Sequence, residues 1–223
     1  MSPHTIDLMA QRDLPNWGLP ARPTTTSRLF RMLAAVHGQT WNASQMGKSL
    51  GLSYHTVNTY VDYLEQAYLL RRLPAYATNI KKRLVKSPKI YWRDSGLLHA
   101  LLGMDGHADL YSQPWMGTSW EGWITEQILS HLQSRGASFQ AFHLRTSDQR
   151  EIDLLLEYRG QLWAFEIKLS SAPNTDSFAT LRHTAELIGA DYTALISRTI
   201  QPVQGEKVAS LNLATTLDLL ENF

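Results

Sequence analysis

The stretch that most limits how this chain can fold is Glu151-Ile152-Asp153-Leu154-Leu155-Leu156-Glu157-Tyr158, then Arg159-Gly160, then Gln161-Leu162-Trp163-Ala164-Phe165-Glu166-Ile167-Lys168-Leu169. Both runs alternate apolar and polar residues, and Arg159-Gly160 between them suits a two-residue turn, so the segment reads as a β-hairpin. Such a turn fixes the register. Tyr158 then faces Gln161, Glu157 faces Leu162, Leu155 faces Ala164, and Asp153 lies across from Glu166. Side chains alternate faces along a strand, so Asp153, Glu166 and Lys168 share one face, while Ile152, Leu154, Phe165 and Ile167 share the other. Two carboxylates would stand roughly 5 Å apart.

Like charges directly opposite destabilise a hairpin unless something positive lies beside them, and a divalent cation is the strongest such compensator. Hard oxygen donors suit magnesium or manganese. The alternative is a solvent-facing hairpin, its register loose by a residue, in which Lys168 pairs across to Glu151. A third acid bears on the choice. In Trp120-Glu121-Gly122-Trp123-Ile124-Thr125-Glu126-Gln127-Ile128 the apolar residues recur at helical spacing, and Glu121 falls in line with Ile124 and Ile128 on the inward side, which charged residues usually avoid. Glu126 fits an ordinary exposed face.

A helix with Glu, a strand with Asp and a strand with Glu-Ile-Lys, in that order, resembles the PD-(D/E)XK nuclease superfamily. The resemblance implies that Glu121, Asp153 and Glu166 hold the metal and that Lys168 positions or activates the attacking water. The chemistry is intelligible without the family: acids bind a cation that polarises phosphate and acidifies a water, while an ammonium stabilises developing negative charge. One departure is that Glu151-Ile152, and no Pro, precedes Asp153.

The charge is sharply divided along the chain. Residues 1–93 hold 13 Lys plus Arg against 4 Asp plus Glu, net +9, whereas residues 94–223 hold 8 against 16, net −8. Such asymmetry suggests two roles. The basic residues Arg71, Arg72, Lys81, Lys82, Arg83, Lys86, Lys89 and Arg93 occur with no acid between Glu65 and Asp94, a run suited to a phosphate backbone, a solvated face or an acidic protein partner.

What precedes that run has the organisation of a winged helix-turn-helix. A first helix is expected over 26–36, carrying Leu29, Phe30, Leu33 and Val36, and a second over 43–50, ending at Gly51. Ser53 can cap a third helix, whose inward stripe is Val57, Tyr60, Val61 and Leu64. That leaves His55, Thr56, Asn58, Thr59 and Tyr63 for the outer face, and 68–76 for a wing. Helix-turn-helix units lay their second helix in the major groove, where Asn, Thr and His reach base edges. This helix carries no Lys or Arg and ends with Asp62 and Glu65, which weakens the case for sequence-specific readout. Gly47-Lys48-Ser49 imitates the end of a phosphate-binding loop, but Asn42 stands where the first Gly is required, so the segment belongs to the second helix and no ATP site is expected.

Arg12-Asp13-Leu14-Pro15, Leu52-Ser53-Tyr54-His55-Thr56-Val57, Leu64-Glu65-Gln66-Ala67-Tyr68-Leu69-Leu70, Lys82-Arg83-Leu84-Val85-Lys86-Ser87-Pro88-Lys89-Ile90-Tyr91 and Asp94-Ser95-Gly96-Leu97-Leu98 together resemble the C-terminal region of prokaryotic AAA-family ATPases, a domain of unknown function. The likeness continues through Gly117, Trp120-Glu121 and Glu166-Ile167-Lys168. It implies an α+β and α/β chain: a winged helix-turn-helix with an N-terminal extension over 1–103, a connector over 104–117, and a PD-(D/E)XK restriction-endonuclease-like mixed-sheet domain over 118–223. Members of that family usually carry an N-terminal P-loop ATPase domain, which this sequence lacks. The later sequence agrees, with a helix over 178–188 ending at Gly189, a strand over 192–197 and a final helix over 215–220.

At 223 residues and 43% hydrophobic the chain suits two modest domains, and no apolar run approaches the roughly 20 residues needed to cross a bilayer. No signal-like segment opens it, so the cytoplasm is the expected location. The absence of Cys excludes disulfides and thiolate chemistry, and the 8 His show no zinc-ligand spacing. Three functions stay open: a magnesium-dependent nuclease acting on DNA or RNA, a nucleic-acid-binding module with an idle nuclease fold, and a regulatory or assembly domain. The last would bind an ATPase domain, another protein or a second copy.

Overall fold

The structure is a computed structural model that describes residues 3–78, 84–104, 110–172, 175–205 and 208–222. It divides into two compact units that are interleaved in sequence, Met1–Arg72 with Lys89–Gly122 and Leu73–Pro88 with Trp123–Phe223. Among the described residues no helix is long and apolar enough to cross a membrane.

In the first unit, α1 (Pro3–Leu8) runs through a π-helical turn, Met9–Asp13, into the short α2 (Leu14–Asn16). Helix α3 (Pro23–Ala35) starts earlier than the apolar pattern alone suggests, because Pro23 takes the first helical position, where a missing N–H costs nothing. Helix α4 (Ala43–Leu50) has the expected bounds: the Asn42 side chain accepts the Gln45 N–H, and Gly51 closes the helix at φ 69°. Gly47-Lys48-Ser49 lies inside it. Helix α5 (Tyr54–Gln66) opens on Ser53, whose Oγ accepts the Thr56 N–H at 3.1 Å, and buries Val57, Tyr60, Val61 and Leu64.

Strand β1 (Leu70–Leu73) then pairs with β2 (Lys89–Trp92), and Thr40 bridges antiparallel to Lys89. Helix α6 (Ser95–Leu101) is capped by Asp94, which accepts the Leu97 N–H at 2.6 Å. Leu29, Phe30, Leu33, Val57, Val61, Leu64, Ile90, Trp92 and Leu97 form one core, with the Phe30 and Trp92 rings edge to face at 5.2 Å.

His37 sits in this unit. Its Nδ1 accepts the Trp92 N–H at 3.1 Å, and the site is so close that a Cβ on Gly122 would come within 2.5 Å of Nε2. Burial is the main reason its pKa is lowered to about 4, with a backbone hydrogen bond at Thr118 opposing and His99 adding to the shift.

Helix α7 (Met116–Ser134) leads toward the second sheet: β3 (Phe139–Arg145), β4 (Glu151–Tyr158), β5 (Gln161–Ile167), helix α8 (Thr175–Ile188), β6 (Tyr192–Ile196), β7 (Val203–Gln204), β8 (Val208–Leu211) and helix α9 (Leu213–Asn222). Among the described residues the strand order is β3-β4-β5-β6-β8-β7. The first three strands are antiparallel, β5, β6 and β8 run parallel, and β7 returns antiparallel to β8. A parallel neighbour needs a crossover, which α8 supplies between β5 and β6. The chain is thus α+β around a mixed sheet.

The hairpin has the expected register, from Tyr158 opposite Gln161 to Leu154 opposite Phe165. Arg159 at φ 50° and Gly160 at φ 73° make the turn left-handed at both central residues, as a type I′ hairpin requires. It is no solvent-facing hairpin. Residues 152–156 of β4 and 162–165 of β5 are all buried, because the strands lie inside the sheet with both faces covered.

The expected wing over 68–76 is mostly something else. Among the described residues of this stretch Leu70–Leu73 pairs with β2; beyond it, Ala75 bridges His143 and Leu84 bridges Thr146, so Ala75 and Leu84 lie beside β3 and its end in the second unit. Glu126, expected on an exposed face, is buried and accepts the Ser130 hydroxyl at 2.8 Å. Helix α7 is covered on more than one side there, which an amphipathic pattern does not foresee.

Replacing Gly160 with Val should cost about 1 to 2 kcal/mol of unfolding free energy in urea, the penalty of a left-handed β-branched residue. Stability should also fall with acid. The folded pKa of His37 lies below that of a free His, so the unfolded chain takes up the proton first. The His37 contribution is full above pH 6.5 and is lost progressively down to about pH 4. From pH 7 to 5 the loss should be about 2 kcal/mol, and His37→Gln should flatten that slope in the same denaturation series.

Candidate functional site

The β4–β5 ladder ends where the acids begin. Past the Leu154–Phe165 pair the next β4-facing donor on β5 is the Ile167 N–H, and it goes to the Asp153 carboxylate, Oδ2, at 2.8 Å. Asp153 is only 6% exposed, and a buried carboxylate needs such a partner. On the other edge, the Lys168 N–H donates to the Ile196 carbonyl at 2.8 Å, extending the parallel pairing with β6. Both edges of this strand end are therefore pinned.

Glu166 and Lys168 stand two residues apart on the same side of β5, and the Lys168 Nζ lies 2.5 Å from Glu166 Oε1. The Glu166 side chain is 14% exposed and that of Lys168 42%. The structure thus brings Asp153, Glu166 and Lys168 to one strand end, with the lysine itself supplying positive charge beside the acids. Glu151 faces Arg145 at 3.9 Å.

Glu121 is engaged otherwise. Its Oε1 accepts from Lys89 Nζ at 2.7 Å and from the Tyr91 hydroxyl at 2.5 Å. The Lys89 side chain is 3% exposed, so its ammonium lies away from any phosphate backbone. Among the described residues no three His, Cys, Asp or Glu side chains group as a metal ion would need. Two carboxylates remain a fitting donor set for magnesium or manganese, which fill their other positions with water and substrate oxygens.

The expected nucleic-acid face is altered in the same way. His55 and Thr59 are exposed, with the Thr59 hydroxyl donating back to the His55 carbonyl. Thr56 shares its hydroxyl with Ser53, and Asn58 Oδ1 accepts the Trp41 indole N–H at 3.0 Å, so both are partly committed to the fold. Arg72 reaches Glu65 Oε2 and Asp62 Oδ1, at 2.5 and 2.6 Å. Desolvation lowers its pKa, yet these two acids outweigh burial and hold it raised. Arg71 is half-buried and Lys86 exposed; Lys81, Lys82 and Arg83 lie outside the described residues.

Lys89 was hidden from sequence reasoning by its place in a basic run. The available signal was Lys89-Ile90-Tyr91-Trp92, a cation inside an apolar strand, together with an acid on the inward side of α7. Lys89→Met should lower stability by about 3 to 5 kcal/mol by leaving Glu121 uncompensated, and Lys89→Met with Glu121→Leu should recover most of it in the same urea titration.

Residues 3–108 match the model of a domain of unknown function, DUF8612, and residues 116–215 match another, DUF4143. The uncharacterized proteins Mb2031c of Mycobacterium bovis and Rv2008c of Mycobacterium tuberculosis are each 38% identical over 169 residues, which is 76% of this chain and 37% of the relative. The chain thus spans well under half the length of the curated relatives it matches. The crystal structure of protein VC1899 from Vibrio cholerae aligns with all of this chain and 56% of that one, at 12% identity and a TM-score of 0.35. The two family matches follow one another along the chain, that to DUF8612 first and that to DUF4143 second.

Proposed function

We propose that residues 118–223 are a PD-(D/E)XK nuclease-like domain acting on nucleic acid with magnesium or manganese, and that a winged helix-turn-helix precedes it. The observation that carries this reading is the strand end at which Asp153, Glu166 and Lys168 meet. Asp153, buried within β4, and Glu166 and Lys168 at the end of β5 are charges that a fold keeps at a cost unless they are used. Asp153 and Glu166 would hold the cation, which when bound polarises a phosphate and acidifies water. Lys168 would place its ammonium where negative charge grows on the phosphate.

The helix bearing Glu121, the strand bearing Asp153 and the strand bearing Glu166 and Lys168 follow one another in the order of the superfamily resemblance. For the first unit, three helices followed by the β1–β2 pair and the Thr40 bridge support the winged-helix reading. DUF4143 is commonly found in AAA-ATPase-associated proteins, and the relatives extend far beyond the matched region, which leaves length in them for an ATPase domain.

A second reading is a nuclease fold without turnover that binds nucleic acid. Glu121 favours it, since that carboxylate is bound by Lys89 and Tyr91. Titration with Mg²⁺ and Mn²⁺, paired with cleavage of single- and double-stranded DNA and RNA, separates the two. A nuclease should bind the metal and cut, with Asp153→Ala and Lys168→Ala each lowering the rate by on the order of 100-fold. Absence of metal binding together with cleavage that neither substitution affects rules the nuclease out.

A further inference from the structure

Tyr68 occupies a backbone position that suits it poorly. It is the residue just past the C-cap of α5, where the Leu69 N–H donates to the Leu64 carbonyl at 2.9 Å and the Tyr68 N–H to the Glu65 carbonyl at 3.0 Å. This arrangement requires a left-handed residue, usually Gly or Asn, and Tyr68 adopts φ 58°. Burial does not compensate for the strain, because Tyr68 is 74% exposed. The Arg93 guanidinium lies 5.1 Å from the ring centroid, and the Arg93 N–H donates to the Leu69 carbonyl at 3.0 Å, fixing its backbone beside the turn.

We propose that Tyr68, backed by Arg93, is a stacking platform for an unpaired nucleobase. A rigid exposed ring beside a guanidinium, in the half of the chain with a net charge of +9, offers what single strands need: an aromatic face for the base and positive charge for its phosphate. Bases inside a duplex are already stacked, so the ligand is single-stranded DNA or RNA, or an unpaired end of a duplex. The inference rests on the reading that this chain meets nucleic acid, but it needs no cleavage.

Fluorescence anisotropy in EDTA, with the full chain and labelled oligo-dT, oligo-U, a blunt duplex and a duplex with a single-stranded tail, tests it. The unpaired and tailed probes should bind more tightly than the blunt duplex. Tyr68→Ala should weaken them by on the order of tenfold and Tyr68→Trp should retain them, since stacking tolerates any aromatic. Tyr68→Gly should weaken binding while raising the melting temperature, because it relieves the left-handed strain. A ring with a purely structural role gives the reverse: Tyr68→Gly melts earlier and affinity is unchanged, which overturns the proposal. Unchanged affinity for Tyr68→Ala alongside metal-dependent cleavage sinks the platform and leaves the nuclease reading standing. Binding to none of the probes overturns the platform together with the premise of nucleic-acid contact.

Discussion

The pairing of β4 with β5 sets what the second unit can present. A type I′ turn at Arg159 and Gly160 leaves one register for the two strands, and a slip of one residue would turn every side chain to the other face. The β4–β5 ladder stops just before Asp153, which is buried, while Glu157 within it is half-buried. Asp153 is placed at that stop and takes the Ile167 N–H, replacing a backbone acceptor with a carboxylate. The same hydrogen bond therefore completes the fold and orients the acid.

Charge inside the first unit follows a different rule. Lys89, Tyr91 and Glu121 form a nearly dry cluster, and desolvating an ammonium and a carboxylate costs several kcal/mol each, offset only if geometry and further hydrogen bonds are good. The tyrosine hydroxyl supplies such a bond. Its consequence for function is subtraction at Lys89, which is buried away from the basic face, while the Glu121 carboxylate carries hydrogen bonds from Lys89 and Tyr91. Arg72 is subtracted likewise by Asp62 and Glu65, the acids at the end of α5.

Local signals were legible where the physics is local. The cap at Ser53, the helix end at Gly51, the stripe Val57, Tyr60, Val61 and Leu64, and the hairpin register follow from short-range rules, and the structure has them. Strand β3 was not legible. His143 interrupts its alternation at a bulge between Phe142 and Leu144, and Gln140 and Arg145 dilute its apolar content. The segment 73–88 misled for a related reason: its bridges go to residues some sixty positions later, and no periodicity announces a partner so distant. Glu126 and Lys89 were misplaced because exposure is a tertiary property, which polarity alone does not determine.

The same distinction bears on how the charge division should be read. A net +9 over residues 1–93 suggests a polyanion-binding half, yet at least three of its cations, Arg12, Arg72 and Lys89, pair with carboxylates, and Lys89 is buried. Net charge speaks for long-range attraction; it does not say where a phosphate rests. Placement needs a group that is both accessible and held, and Tyr68 meets that requirement through strain and exposure. At the end of β5, Lys168 meets it through partial exposure and its pairing with Glu166. Both groups are polar features that the hydrophobic cores do not require, and for that reason function is to be sought there before it is sought in the basic run.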